Sequence, residues 1–332
     1  MNERISRRGF VKNAALVSAG AVGGAALSRS SGQAMPATPE APAPTPIPTP
    51  AEPMPMGRIK GVEFSRLMLG GNLVSGYAHS RDLSYVAHLM KRYNTETKIT
   101  ETLELAEAHG INSINLTVWD KEAAVLEKHW KRGGKIKLIA QALPGQLAWG
   151  GGEKGDLDQF KRAVDMGAAA VHLQGHGTEK LWEDQRLDVI ARIVDFVKSQ
   201  KCLVGVAAHS LDALRECVTA KLDVDFYQKT LHTHQYYSSP RPDETGFLGK
   251  HDNSWCNDPE EVVDFMHTVD KPWIAFKVMA AGAIPPQPAF QHAFNSGADF
   301  VLAGMFDWQI EDDVDYARQA LAGVRRTRPW RA

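Results

Sequence analysis

The chain has 332 residues, 43% hydrophobic and 23% charged, with 38 Lys and Arg against 39 Asp and Glu. A near-neutral chain with no basic face gives no footprint for nucleic acid, and its apolar content is that of a protein with a large core. Cys202, Cys217 and Cys256 are too few for a disulfide framework and leave room for one bridge at most.

The first residues read as an address. Ser6-Arg7-Arg8-Gly9-Phe10-Val11-Lys12 precedes a mildly apolar run, Ala14 to Leu27, and a small-residue zone at Gly32-Gln33-Ala34. This resembles a twin-arginine (Tat) export signal, which implies recognition by the Tat machinery and a periplasmic or extracellular destination. Cleavage after residue 34 removes five bases and one acid, leaving 33 bases against 38 acids and a net charge of −5. No stable membrane span is expected after that cut. Residues 35–57 are rich in Pro, Ala and Thr and read as an extended spacer. Residues 58–325 form the expected folded domain, with 326–332 as a tail.

Within that domain, strand-like runs at 64–70, 112–117, 135–141, 169–174, 203–208, 223–230, 272–277 and 299–304 alternate with amphipathic segments. The latter fall near 98–110, 120–132, 156–167, 185–200, 210–219, 259–268, 286–296 and 310–323. Eight strands alternating with eight helices predict a single-domain α/β fold, a (β/α)8 TIM barrel. An open doubly wound sheet is the runner-up, but no G-x-G-x-x-G turn follows its first strand. Asp258-Pro259-Glu260-Glu261 opens a helix, while Gly110, Gly167 and Gly297 close helices before the next strand. The long connections at 71–97 and 231–258 lie at strand C-terminal ends, where barrels place binding and catalysis.

Phe64-Ser65-Arg66-Leu67-Met68-Leu69-Gly70-Gly71, His109-Gly110-Ile111-Asn112, Val204-Gly205-Val206, Tyr227-Gln228, Ile274-Ala275-Phe276 and Gln309-Ile310-Glu311-Asp312 recur in the order and spacing of one family. Across most of residues 58–323 the chain resembles the aldo/keto reductases. The resemblance implies a divergent oxidoreductase, with a nicotinamide cofactor, NADP(H), at Gln228 and Phe276. The family's Asp-Tyr-Lys-His tetrad is degenerate here: Asn115 replaces the Asp, Trp119 or Asp120 falls at the Tyr, Gln141 replaces the Lys, and His176 alone matches. The Ser-Asn that would hold the nicotinamide amide is Ala207-Ala208, and Met305-Phe306-Asp307-Trp308 replaces the basic residues for the cofactor phosphate. These departures count against ordinary NADPH-dependent reduction.

Other groups at the same rim could supply the chemistry. His172 and His176 end the fourth strand, His209 follows the fifth and His232 and His234 the sixth, while Lys277 ends the seventh. Imidazoles from neighbouring strands suit a divalent metal, so His172, His232 and His234 are candidate ligands. His176, His209, Lys277 and Asp120 are candidate catalytic groups, with Lys277 as base or anion anchor. Asn115, Gln141, Trp119 and His79 are candidate substrate contacts. His79-Ser80-Arg81-Asp82 could fold over the mouth, and Trp149, Tyr236, Tyr237, Trp255 and Trp308 join Trp119 as rim aromatics suited to sugars. The expected partner is a small polar carbonyl or carbohydrate-type substrate. A lyase, isomerase or hydrolase using the rim histidines or Lys277 is the alternative enzyme, and a non-catalytic ligand-binding barrel the alternative outside catalysis.

Overall fold

A computed structural model of the chain describes residues 53–147, 155–240 and 253–332. The export signal at 1–34, most of the proline-rich spacer, and Trp149 lie outside the described residues.

The first element is an antiparallel hairpin of β1 (Met56–Ile59) and β2 (Val62–Ser65), paired from Met56 with Ser65 to Ile59 with Val62. Its turn residues, Lys60 and Gly61, have φ of 44° and 87°, the left-handed pair that matches strand twist in a two-residue hairpin. The sequence suggested one strand over 64–70, but the structure divides it at Arg66. The half-exposed Val62–Ser65 stays in the hairpin, and the fully buried β3 (Leu67–Gly70) enters the barrel, as expected for a strand covered on both faces.

The chain then alternates. In order come α1 (Asn72–Ser75), α2 (Tyr85–Tyr93), α3 (Glu96–Ala108), β4 (Ser113–Thr117), α4 (Asp120–Lys131), β5 (Lys137–Ala142), α5 (Asp158–Asp165), β6 (Ala170–Leu173), α6 (Gly175–Glu183) and α7 (Leu187–Ser199). They are followed by β7 (Leu203–Ala208), α8 (Leu211–Thr219), β8 (Phe226–Thr230), α9 (Pro259–Thr268), β9 (Trp273–Phe276), α10 (Pro286–Asn295), β10 (Phe300–Ala303) and α11 (Ile310–Ala322). The strands close in the order β10-β3-β4-β5-β6-β7-β8-β9, all neighbours parallel. The fold is therefore the expected (β/α)8 barrel. All eight expected strands and all eight expected helices are present. The short helices α1, α2 and α6 are additional and occupy stretches read as connections.

Side chains of alternate strand residues point to opposite faces, and this divides the core. Met68, Ile139, Phe226, Ile274 and Phe300 fill the barrel interior, with Ile59 and Phe64 from the hairpin packed onto them. Leu116, Val171, Val206 and Ala275 face outward, against helix residues such as Leu103, Phe160, Ile193 and Phe290. Asp258 caps α9 by accepting from Glu261 N at 2.9 Å. Gly110 and Gly297 close their helices at φ of 88° and 100°, where a side chain would be strained. The three cysteines are free. Among the described residues no helix is long and apolar enough to cross a membrane.

Candidate active site

Strand register sets the floor of the site. Asn115, Gln141, His172 and Gln228 stand on the inward faces of β4, β5, β6 and β8, above the apolar interior, and Gln141 pairs in register with His172. Asn115 Nδ2 lies 2.7 Å from His172 Nε2 and 3.4 Å from Gln228 Oε1, while His172 Nδ1 lies 3.2 Å from Leu173 O. The carbonyl can only accept, so the network assigns the ring proton to Nδ1 and leaves Nε2 to accept from Asn115. Burial pushes the His172 pKa down to about 4, keeping the ring neutral. Gln141 Nε2 donates to Thr117 Oγ1 at 2.7 Å.

Above the floor the structure assembles a pair that the sequence reading missed. Glu179, on α6, accepts from the backbone N of His209 at 2.5 Å and of Ser210 at 2.8 Å, and both its oxygens lie 3.2 Å from His209 Nδ1. Gly175, one turn earlier on the same helix face, makes the approach possible: a Cβ there would come within 2.8 Å of the His209 ring. Burial works to raise the Glu179 pKa, but the His209 ring and the two backbone donors hold the carboxyl below its ordinary value. An ionised carboxylate only accepts, so Nδ1 carries the ring proton and Nε2 keeps its lone pair. Burial lowers the His209 pKa to about 4, with Glu179 opposing and Lys277 and Lys229 adding to the fall. No hydrogen bond reaches Nε2 among the described residues. The result is a neutral, oriented imidazole with one basic nitrogen unspent.

Trp255, from the long connection after β8, is the hub of the mouth. Its indole lies 4.6 Å from the His209 ring and 5.5 Å from the His79 ring, centroid to centroid, and Lys277 Nζ sits 4.1 Å above it. Lys277 Nζ also lies 2.7 Å from His79 Nε2, which Asn72 Nδ2 reaches at 3.1 Å, so the segment at 79–82 does bring its histidine to the mouth. Both partners are donors, making His79 Nε2 the acceptor. Lys277 takes φ 57°, a left-handed conformation uncommon outside glycine and concentrated at functional sites.

Several other expectations do not converge on this centre. Asp120 opens α4 with a side chain 96% exposed and pairs with Arg162 Nη2 at 2.5 Å. Trp119, its half-buried neighbour, precedes the same helix. His176 stands exposed on α6 and makes no hydrogen bond to the Glu179–His209 pair among the described residues. The metal reading of His172, His232 and His234 meets a donor problem. His172 is spent on Asn115 and Leu173. His232 Nδ1 lies 3.0 Å from Thr233 O and its Nε2 accepts from Trp255 N at 2.9 Å, while His234 Nε2 lies 2.7 Å from Cys256 O. Among the described residues no group of three or more His, Cys, Asp or Glu side chains is placed to hold a metal ion.

A nicotinamide also fits poorly. Phe276, the implied stacking residue, has its ring 5.3 Å from that of His209, and Gln228 is 2% exposed and engaged by Asn115. Beyond β10, where the resemblance places the cofactor phosphate, Asp307 presents a carboxylate, held by Tyr93 Oη at 2.7 Å and Lys98 Nζ at 3.0 Å.

No family model and no curated protein matches the sequence. The fold recurs among solved structures. Two structures assigned as aldo-keto reductases of Pseudomonas aeruginosa superpose with TM-scores of 0.52 and 0.53 at 14% and 15% identity, covering 80% and 83% of this chain and 95% and 98% of theirs. A variant of Gox0644 in complex with NADPH gives 0.53 at 11% identity, over 83% of this chain and 95% of its own. At such identities the likeness is one of fold.

Proposed function

We propose that the chain is an exported (β/α)8-barrel enzyme that moves a proton at the carbon beside the carbonyl of a small polar, carbohydrate-type substrate. The observation that carries this reading is the Glu179–His209 pair. Glu179 fixes tautomer and orientation, and His209 Nε2 meets the mouth as a neutral base. In this scheme Nε2 takes the proton from the hydroxyl-bearing carbon, the Lys277 ammonium stabilises the carbonyl oxygen that becomes negative, the hydroxyl proton passes to that oxygen, and the imidazolium returns its proton to the former carbonyl carbon to complete an isomerisation. Trp255 offers a flat face to the substrate, while the half-buried Gln141 supplies an amide for its hydroxyls. Of the enzyme readings open to the sequence, this favours the Lys/His-dependent isomerase or lyase over hydride transfer. The poor fit of Phe276 and Gln228 to a nicotinamide argues the same way.

The test is deuterium exchange. A panel of small hydroxyaldehydes and hydroxyketones is incubated with the protein in D2O, and incorporation beside the carbonyl is followed by NMR, in parallel with NADPH consumption. Wild-type protein should exchange at least one substrate. His209→Asn should lower that rate at least about 100-fold, the low end for loss of a general base, and Glu179→Gln should lower it too. Exchange undiminished in His209→Asn, or NADPH consumption without exchange, would overturn the reading.

A further inference from the structure

Lys229 lies on the outward face of β8, 1% exposed, where a cation is costly unless its hydrogen bonds are made. They are made, to neutral oxygens. Nζ donates to His209 O at 2.7 Å, Thr230 Oγ1 at 2.7 Å and Thr230 O at 3.2 Å. A lysine ammonium has three N–H groups, so its capacity is filled. Thr230 Oγ1 in turn donates to Trp255 O at 2.6 Å. One buried ammonium thus connects the backbone of His209 to that of Trp255, whose rings pack 4.6 Å apart.

We propose that Lys229 is the positioning residue of the site: it holds the His209 and Trp255 carbonyls in one network and so fixes the two rings against each other. The proposal rests on the reading of His209 as the base, but its geometry stands apart from any substrate. The charge acts in the same direction. The charged groups facing His209 are Glu179 from α6, Lys229 from β8 and Lys277 beyond β9, and both lysines disfavour the imidazolium. Lys229 itself faces Glu179 and the buried Cys256, and burial lowers its own pKa. Apolar packing alone would be served by a methionine of similar length. The three hydrogen bonds would not.

The experiment is NMR of the histidine rings in the full chain, with the His209 signals assigned by their loss in His209→Asn. In Lys229→Met the His209 pKa should rise, since a nearby like charge is gone, and its ring protons should move as the Trp255 ring current changes. Thr230→Val keeps the lysine charge but cuts the bridge to Trp255. It should move the ring-proton shifts while leaving the titration near its wild-type position, and it tests the bridge even if Lys229→Met fails to fold. Ring-proton shifts and titration that superimpose on wild type in folded Lys229→Met, or unchanged shifts in Thr230→Val, would overturn the proposal. Neither readout requires turnover. Absence of deuterium exchange with these NMR changes present would sink the proposed reaction and spare the positioning role.

Discussion

Asp313 stands in the first turn of α11, 2% exposed, and its Oδ2 finds no hydrogen bond among the described residues. Burial, with Asp312 beside it, raises its pKa to about 7. The folded state therefore binds a proton that the unfolded state releases above its ordinary value of 3.8. The resulting cost is absent below about pH 4 and complete above about pH 7. Asp313→Asn should raise unfolding free energy at pH 8 by up to roughly 4 kcal/mol and change it little at pH 3.5, as read by urea melts at the two pH values. An equal effect at both would mean that packing, not ionisation, is responsible. At this scale the sequence was partly legible. His209 and Lys277 could be chosen because strand order puts them on one rim. Glu179 could not, because the only cue is a four-residue spacing from Gly175 within a stretch read as a connection. Nothing in the sequence shows that this helix face meets the end of β7. Lys229 was hidden by alternation, which placed it opposite the inward face carrying Gln228.

The elements show which patterns carry information. Outward-facing apolar residues such as Val171 and Leu173 on β6 or Val204 and Val206 on β7 marked the barrel strands, because helices cover their outer face. The C-terminal residues 326–332, polar and basic, have no such pattern and were read as a tail. In the structure they are bound at the hairpin end of the barrel. Arg328 has a fully buried side chain, with Nε donating to Met266 O, Nη1 to Gly297 O and Asp299 Oδ2, and Nη2 to Val269 O and Lys271 O. All five guanidinium donors are thus used. Asp299 also accepts from Trp273 N and Arg331 N, while Arg66 and Arg326 stack on Trp330 at 4.0 Å and 3.6 Å. Arg328→Met would leave the Asp299 carboxylate buried without its closest cation, and losing one partner of a buried pair costs about 3–5 kcal/mol. Denaturant unfolding at neutral pH should show that loss. A change under 1 kcal/mol would mean that Arg326 takes over the role.

For the molecule as a whole, the buried imidazoles set the acid limit. His172, His209 and His232 are each driven by burial to a pKa of about 4, against an ordinary 6.5. The sign follows from which state binds the proton. Between pH 6.5 and about 4 the unfolded chain protonates these rings and the folded chain does not, so stability falls with pH across that window and levels off below it. Each ring contributes a loss of roughly 3 kcal/mol, and together they are comparable to the 5–15 kcal/mol of an ordinary domain. Asp313 works in the opposite direction over nearly the same range, gaining as pH falls from about 7, but one carboxyl cannot offset three imidazoles. Urea midpoints taken from pH 8 to pH 4 should therefore decline most steeply between pH 6.5 and 4. In Asp313→Asn the decline should be steeper still, because the opposing contribution is gone. His232→Gln, whose amide can still accept from Trp255 N, should make it shallower. A midpoint flat through this window would mean that the rings accept protons within the fold, and the neutral His209 on which the proton-transfer chemistry depends would be lost with them.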